Sequence, residues 1–448
     1  MHKPLLHATA RLRSGLLRIA PAKLLLFGYL SYILVGWALL SMPFAREQGV
    51  GPLDSLFIAT SAVSTTGLVT VDPGSSFTFA GEVIILLLIQ IGGLGYMTVG
   101  SFTVLAVQHR LSGLRQHAVR AAFSLPDDVR PASFIKAVLI FTLACEAAGA
   151  LALYPIFAAY GVDSPAWMAI FHSVSAFCTA GFSLFSNGLE AFRADAAMNF
   201  VIGGLSLLGA MGFLIVVDSW RNLTGQARHL GFTSKVIVRV TFWFLLIGTL
   251  VLGLTEPTIT VLPPDERWLA AFFQTMSAST TVGFNTHPIG GLSMAVLIVL
   301  LFLMIFGASP AGTGGGLKTT AFAALVGLVR STIKGRDRIR FFKREVPLVK
   351  LQLATAGLAY YATLLFMAMF LLLLSEPGAA FEAVMFEVIS AMGTVGLSMG
   401  LTGDLSDIGK IIVIVLMTAG RVGILTFGIA LAAHDESREE EQDNQLVL

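Results

Sequence analysis

Charge is the scarcest commodity in this chain: Asp, Glu, Lys and Arg make up 12% of its 448 residues while 55% are hydrophobic, against about 25% charge in an ordinary soluble domain. A soluble globular fold is excluded, because only a lipid bilayer solvates so much apolar surface. Cysteine is nearly absent as well. Cys145 and Cys178 both fall in apolar runs, which excludes a disulfide framework and points to packing. No His-x-x-x-His, Cys-x-x-Cys or Ser/His/Asp grouping appears, so a metalloenzyme or intramembrane hydrolase has no catalytic set to build on. What is abundant is apolar sequence, with a mean hydropathy of +0.81, and glycine, at 45 residues.

Eight apolar stretches are long enough to cross about 30 Å of hydrocarbon. They run over about Leu24–Met42, Glu82–Val107, Phe134–Tyr160, Phe200–Trp220, Val236–Leu254, Leu292–Val329 (long and interrupted), Leu353–Leu374 and Ile408–Ala433. The first is too long for a signal-peptide core and its Ser41-Met42-Pro43 exit is a poor cleavage site, so it reads as a retained span. Lys and Arg are concentrated in the N-terminal segment and in every second connection, Gln108–Lys136, Arg221–Arg239 and Arg330–Lys350. The alternate connections hold only Arg46, Arg193, Arg267 and Lys410. Twenty-two basic residues against four place both termini and the basic loops in the cytoplasm of a multi-pass plasma-membrane protein. The C-terminal tail is acidic and reads as solvated.

The poorly charged connections hold an internal repeat. Four times an apolar stretch of about a dozen residues, too short to span, runs into small hydroxylated residues and a glycine. The stretches lead from Leu53 to Thr65-Thr66-Gly67, from Trp167 to Thr179-Ala180-Gly181, from Trp268 to Thr281-Val282-Gly283 and from Phe381 to Thr394-Val395-Gly396. A single Thr-x-Gly is a common helix end, with glycine taking the left-handed conformation. Four copies, each between the two spans of its own segment and on one membrane face, call for another explanation.

A half-helix that ends inside the membrane leaves its last carbonyls unpaired, with their negative ends inward. Non-helical backbone at that depth survives where it lines a water-filled path. The expected architecture is therefore an all-α membrane protein of four pseudo-repeats around one central pore, each repeat a span, a pore half-helix, a filter turn and a second span. Its parts are a cytoplasmic N-terminal segment (1–23), repeats over 24–110, 133–222, 235–331 and 346–433, and the acidic tail (434–448). A ring of neutral oxygens from the twelve Thr-x-Gly residues can replace the hydration shell of a weakly hydrated monovalent cation. No Asp or Glu lies among them.

These features resemble the membrane subunit of the Trk/Ktr/HKT superfamily of potassium transporters, nearest the Ktr type. The four Thr-x-Gly turns carry the likeness, with Asn285 flanking the third filter, the Gln90-Ile-Gly-Gly-Leu-Gly95 run, and a glycine-rich break in the sixth span. The resemblance implies potassium held by backbone carbonyls, a homodimer, and a cytoplasmic RCK-type ring of regulatory subunits that bind nucleotide; nucleic acid has no place in it. It also implies that glycine at Gly67 favours potassium, since plant relatives with serine there favour sodium. Sodium permeation or sodium coupling remains an alternative, as does a scaffold or enzyme that uses the repeats only for packing.

Five glycines and Pro310 fall in the ten residues from Gly307 to Gly316, mid-span, where no regular helix continues. Gly312, Thr313, Gly314, Gly315 and Gly316 are expected to form a flexible gate under the filter, with a packed kink as the alternative. Leu317 separates the glycines from Lys318, and no strand precedes them, which excludes a phosphate loop. Arg421, ionisable inside the last span, is expected to reach into the pore and hydrogen-bond the gate loop, or else to extend to the cytoplasmic interface. Lys318 either belongs to the gate or marks its exit. His172, Gln274 and Glu387 read as packing groups on the half-helices, and Asp218 and Glu146 as candidate partners for arginines. The basic Arg330–Lys350 loop, with Arg336, Arg338, Arg340, Lys343 and Arg344, suits either a regulatory partner or anionic lipid.

Overall fold

Proline opens three of the four short half-helices and fixes where each begins, because its ring presets the helical φ and its missing N–H would have been unpaired there anyway. The computed structural model describes residues 21–95, 131–224, 229–336, 338–341, 344–423 and 426–427. The N-terminal segment before residue 21, residues 96–130, Lys343 and the acidic tail lie outside the described residues.

In the first segment α1 (Pro21–Leu40) leads to the half-helix α2 (Pro52–Ser64), a single turn α3 (Pro73–Ser76) and α4 (Phe79–Leu94). The second segment holds α5 (Pro131–Ala159), the half-helix α6 (Pro165–Phe177), α7 (Ala196–Met211) and α8 (Phe213–Leu223). The third holds α9 (Phe232–Thr255), α10 (Pro257–Thr260), the half-helix α11 (Pro264–Thr280), α12 (Met294–Phe306) and α13 (Thr319–Ile333). A two-residue antiparallel hairpin, β1 (Arg340–Phe341) with β2 (Arg344–Glu345), follows it. The fourth holds α14 (Leu348–Ser375), the half-helix α15 (Phe381–Gly393) and α16 (Asp407–Val422). Besides this hairpin the described residues hold one isolated antiparallel bridge, Arg46 with Phe77.

Three described helices are long and apolar enough to cross a membrane: Ala132–Ala159, Phe232–Thr255 and Leu348–Ser375. A fourth crossing results if Ala196–Met211 and Phe213–Leu223 are one broken span. The apolar helices Leu26–Leu40, Phe79–Leu94, Met294–Phe306 and Thr319–Ile333 are shorter. The sequence read Phe200–Trp220 as continuous, yet the chain turns by 92° there. Gly212 makes the turn at φ 88°, ψ 149°, a conformation that a Cβ would forbid. Gly95 and Gly423 end α4 and α16 at φ 79° and 96°.

Each segment's half-helix packs on its own flanking helices, and the first long helix after each half-helix also packs on the next half-helix: α4 on α6, α7 on α11, α12 on α15 and α16 on α2. That last contact closes the set into a cycle. An ion pair, Lys410 Nζ to Asp54 Oδ1 at 2.7 Å, ties the same two ends of the chain together at the start of α2. Leucine, isoleucine and phenylalanine fill the interior, including Phe57, Phe171, Phe273 and Phe386, one from each half-helix and each fully buried.

Candidate functional site

All four half-helices end in the same unusual way. Thr65, Thr179, Thr281 and Thr394 take the left-handed conformation, at φ 51°, 50°, 57° and 49°. For a β-branched residue this is a true outlier, costing about 1–3 kcal/mol each. The threonine, and not only the glycine, therefore makes the turn. Two residues on, Gly67, Gly181, Gly283 and Gly396 have φ of 90°, 66°, 86° and 90°.

The strain is held by a repeated set of hydrogen bonds. The threonine N–H donates to the carbonyl of Ala62, Ala176, Ala278 or Ala391, and the next N–H donates to Ser61, Ser175, Ser277 or Ser390 at 2.8–3.1 Å, a Schellman closure. The serine side chains then pin the glycine turn. Gly67 N–H donates to Ser61 Oγ and Gly396 N–H to Ser390 Oγ, both at 3.1 Å. Ser175 Oγ donates to Phe182 O at 2.8 Å and Ser277 Oγ to Phe284 O at 2.5 Å. These four fully buried serines were missed as candidate site residues, although a Ser-Ala pair stands six and five residues before the glycine of every Thr-x-Gly turn. They also correct one expectation: the last helical carbonyls are not left free, because the turn's own N–H groups take them.

The oxygens that face neighbouring turns belong to the middle residues. A Cβ on Gly67 would collide with Ala180 O, on Gly181 with Val282 O, on Gly283 with Val395 O, and on Gly396 with Thr66 O. The contacts run from the first turn to the second, third and fourth and back to the first. Backbone packs on backbone around a ring, and any side chain at the glycines would push a carbonyl out of place. On the glycine side the ring opens into a cavity of ≈ 400 Å³, whose one charged lining residue is Asp72. Asp72 accepts from Ser186 Oγ at 2.6 Å and Ser75 Oγ at 3.1 Å. Asn285 also lines this cavity and donates to Glu190 Oε1 at 2.8 Å.

The threonine side is covered by the glycine-rich loop. Thr313 Oγ1 accepts from Thr179 Oγ1 at 2.9 Å, and Thr313 O accepts from Thr65 Oγ1 at 3.4 Å. Gly314 lies against Thr281 Oγ1 and Gly315 against Thr394 Oγ1, each so closely that a Cβ would overlap the hydroxyl. The loop thus touches all four threonines. It is stitched into the break at Gly212, where Phe213 N–H donates to Ala311 O at 2.9 Å and Thr313 N–H to Gly209 O at 3.1 Å. Gly312 packs on Ala210 O, and Gly316 turns the chain at φ 67°. Lys318 Nζ reaches back to Gly314 O at 2.7 Å and Gly315 O at 3.4 Å.

Lys318, not Arg421, therefore holds the loop carbonyls. Arg421 donates instead to Tyr29 Oη at 3.0 Å and to the carbonyls of Gly92 and Gly93 at the end of α4. Its guanidinium fits there because α4 ends at Gly95 and leaves carbonyls open to a cation. Glu146 and Asp218 do not pair with arginines among the described residues. Glu146 accepts from Gln90 Nε2 at 3.2 Å, and Asp218 accepts from Ser234 Oγ at 2.6 Å and Gly231 N–H at 3.1 Å. Away from the spans, Glu256 is fully buried. Burial opposes its charge, but hydrogen bonds from Ser293 and Thr258 outweigh it and hold its carboxyl below the ordinary range.

Comparison with known proteins gives a consistent result. A family model described as cation transport protein, TrkH, matches residues 35–442. The chain is 37% identical to Ktr system potassium uptake protein B of Vibrio alginolyticus, covering 92% of this chain and 91% of that protein. It is 31% identical to the protein of the same name from Bacillus subtilis (96% and 97% covered). It is 33% identical to potassium/sodium uptake protein NtpJ of Enterococcus hirae (92% and 93%). The crystal structure of the potassium transporter TrkH from Vibrio parahaemolyticus superimposes with a TM-score of 0.71 over 90% of this chain and 84% of that one, at 22% identity. The fold is thus that of a helical membrane protein, and the curated relatives are named as transporters and not as enzymes.

Proposed function

This chain belongs to the TrkH family of cation transport proteins, and on that premise we propose that it carries potassium across the plasma membrane through the ring of backbone oxygens at its four Thr-x-Gly turns. The observation that carries the proposal is the cyclic contact of those turns, the carbonyl of each middle residue against the glycine of the turn before it. Such oxygens replace water around a cation without a fixed charge, and potassium gives up its hydration shell more readily than sodium. The four segments are four pseudo-repeats with eight membrane crossings, and the basic connections put both termini in the cytoplasm.

The loop Gly312–Gly316 is the gate. Seated on the four threonines, it blocks the ring from the cytoplasmic side and brings the Lys318 ammonium beneath it, where its charge repels a cation. Arg421 holds the neighbouring helix ends. The basic hairpin that continues from α13 passes the pull of a cytoplasmic partner to the gate. The relatives' name, Ktr system protein B, supports a membrane component of a larger assembly. In that assembly the chain forms a homodimer on an RCK-type nucleotide-binding ring.

A second reading, sodium permeation or sodium coupling, is favoured by the name of the Enterococcus relative and by a filter with one glycine per turn. Proteoliposomes containing the purified protein decide between them. Rubidium uptake that sodium fails to match supports a potassium pathway, and rubidium uptake that requires sodium supports coupling. No flux under any gradient, from folded protein, overturns both.

A further inference from the structure

Behind each filter turn, nine residues before its glycine, the half-helix presents a different side chain: Ile58, His172, Gln274 and Glu387. All four are fully buried. In the last three the side chain supports the segment that follows its own glycine. His172 Nδ1 lies 2.8 Å from Met168 O, which only accepts, so that nitrogen carries the proton. Its Nε2 lies 3.1 Å from Ser183 Oγ and in the neutral ring accepts from that hydroxyl, and the ring stacks on Phe284 at 6.1 Å. Gln274 Nε2 donates to His287 O at 2.9 Å. Ile58 and the amide are neutral, and full burial favours the neutral imidazole as well.

Glu387 is the exception. Its Oε2 accepts from Ser398 Oγ at 2.8 Å and its Oε1 from Thr402 Oγ1. Ser398 Oγ itself accepts the Gly400 N–H at 3.0 Å, which leaves its proton for the carboxylate. Both oxygens thus face hydroxyls that can donate to the ionised form, and Thr402 Oγ1 also lies 3.2 Å from Ser398 Oγ. Among the described residues Glu387 has no ion pair. A buried carboxylate is normally paired with a cation, because hydrogen bonds alone do not repay its lost hydration. One hydroxyl separates it from the cavity above the ring, since Ser398 lines that cavity two residues after Gly396.

We propose that Glu387 is the fixed counter-charge of the permeating cation, set behind the fourth turn where the other three carry neutral groups. The inference rests on the transport reading and adds to it a source of affinity outside the backbone ring. The ion compensates the carboxylate and the carboxylate stabilises the ion, while Ser398 and Thr402 hold the charge in place. A charge at this position strengthens the binding of potassium and sodium alike. Discrimination between them stays with the backbone.

The test is potassium-dependent thermal stabilisation of the purified full chain, titrated with KCl against choline chloride. Glu387→Gln keeps the shape and removes the charge, and is expected to raise the half-maximal potassium concentration about tenfold, the change that about 1.4 kcal/mol produces. Ser398→Ala removes a tether and keeps the charge, and is expected to shift it by less than about threefold. A wild-type midpoint in Glu387→Gln overturns the proposal, and so does a Ser398→Ala shift as large as that of Glu387→Gln. Should Glu387→Gln fail to fold, Glu387→Asp carries the test: a midpoint close to wild type supports the charge, and a tenfold shift overturns it. A wild-type protein without any potassium dependence overturns the transport reading itself.

Discussion

Gly315→Ala isolates the contact between the proposed gate and the filter. An added Cβ would overlap Thr394 Oγ1 and lie 2.8 Å from Thr394 Cγ2 and 3.0 Å from its Cβ. Those atoms belong to a buried, branched side chain at the Thr394–Gly396 turn. Gly315 is not among the residues with positive φ, so alanine adopts the same backbone without strain, and the penalty falls only on the seated loop. Overpacking of this kind costs about 1–3 kcal/mol, which at tenfold per 1.4 kcal/mol shifts the loop from seated to displaced by about 5- to 150-fold. Rubidium uptake into proteoliposomes should rise accordingly, up to the limit set by the filter. Gly316→Ala is the comparison, because its φ of 67° adds backbone strain without a clash against a threonine. Uptake by folded Gly315→Ala protein at or below the wild-type rate would refute the gate.

Other positions give separate tests. Gly67→Ser places a Cβ against Ala180 O and displaces a carbonyl of the neighbouring turn, so potassium uptake should become more sensitive to competing sodium; unchanged competition contradicts the ring. Asp72→Asn removes the one charge lining the cavity. It should raise the KM for rubidium at low ionic strength and leave it unchanged at high salt, where the charge is screened; a shift independent of salt means a purely structural role. At Asp54 burial opposes ionisation, but the bond to Lys410 outweighs it and holds the carboxyl below its ordinary 3.8. The pair therefore stabilises the fold above that pH and is lost as pH falls through the lowered value. Lys410→Met should remove about 1–3 kcal/mol of stability at pH 7, the range for a pair between surface and core, seen as a lower Tm, and flatten the loss of Tm in acid. Parallel acid profiles would contradict the assignment.

The four Thr-x-Gly turns were legible in the sequence because their signal is local: an apolar half-helix, a threonine and a glycine, repeated four times. The glycine-rich loop was legible for the same reason. The direction of the carbonyls was not, since it depends on Thr65 and its three counterparts accepting a strained conformation that the Ser-Ala hydrogen bonds help to sustain. That Ser-Ala signal stood in every repeat, but serine on a helix is commonplace until its hydroxyl is seen against a filter glycine. The bend at Gly212 was hidden in an unbroken apolar window. What opens it is the loop some hundred residues later, whose Ala311 carbonyl and Thr313 N–H satisfy the freed backbone. Arg421 was assigned to the loop because its depth in the span suited it. Its reach toward Gly92 and Gly93 depends on α4 ending nearby, which a window running on to Val107 did not reveal.

The most direct test of the central claim is the position of a bound ion. Rubidium soaked into crystals of the purified protein and located by anomalous scattering should lie within the ring bounded by the carbonyls of Thr66, Ala180, Val282 and Val395. Rubidium bound only at carboxylates such as Asp72, with the ring empty, would contradict a pathway built from neutral backbone oxygens.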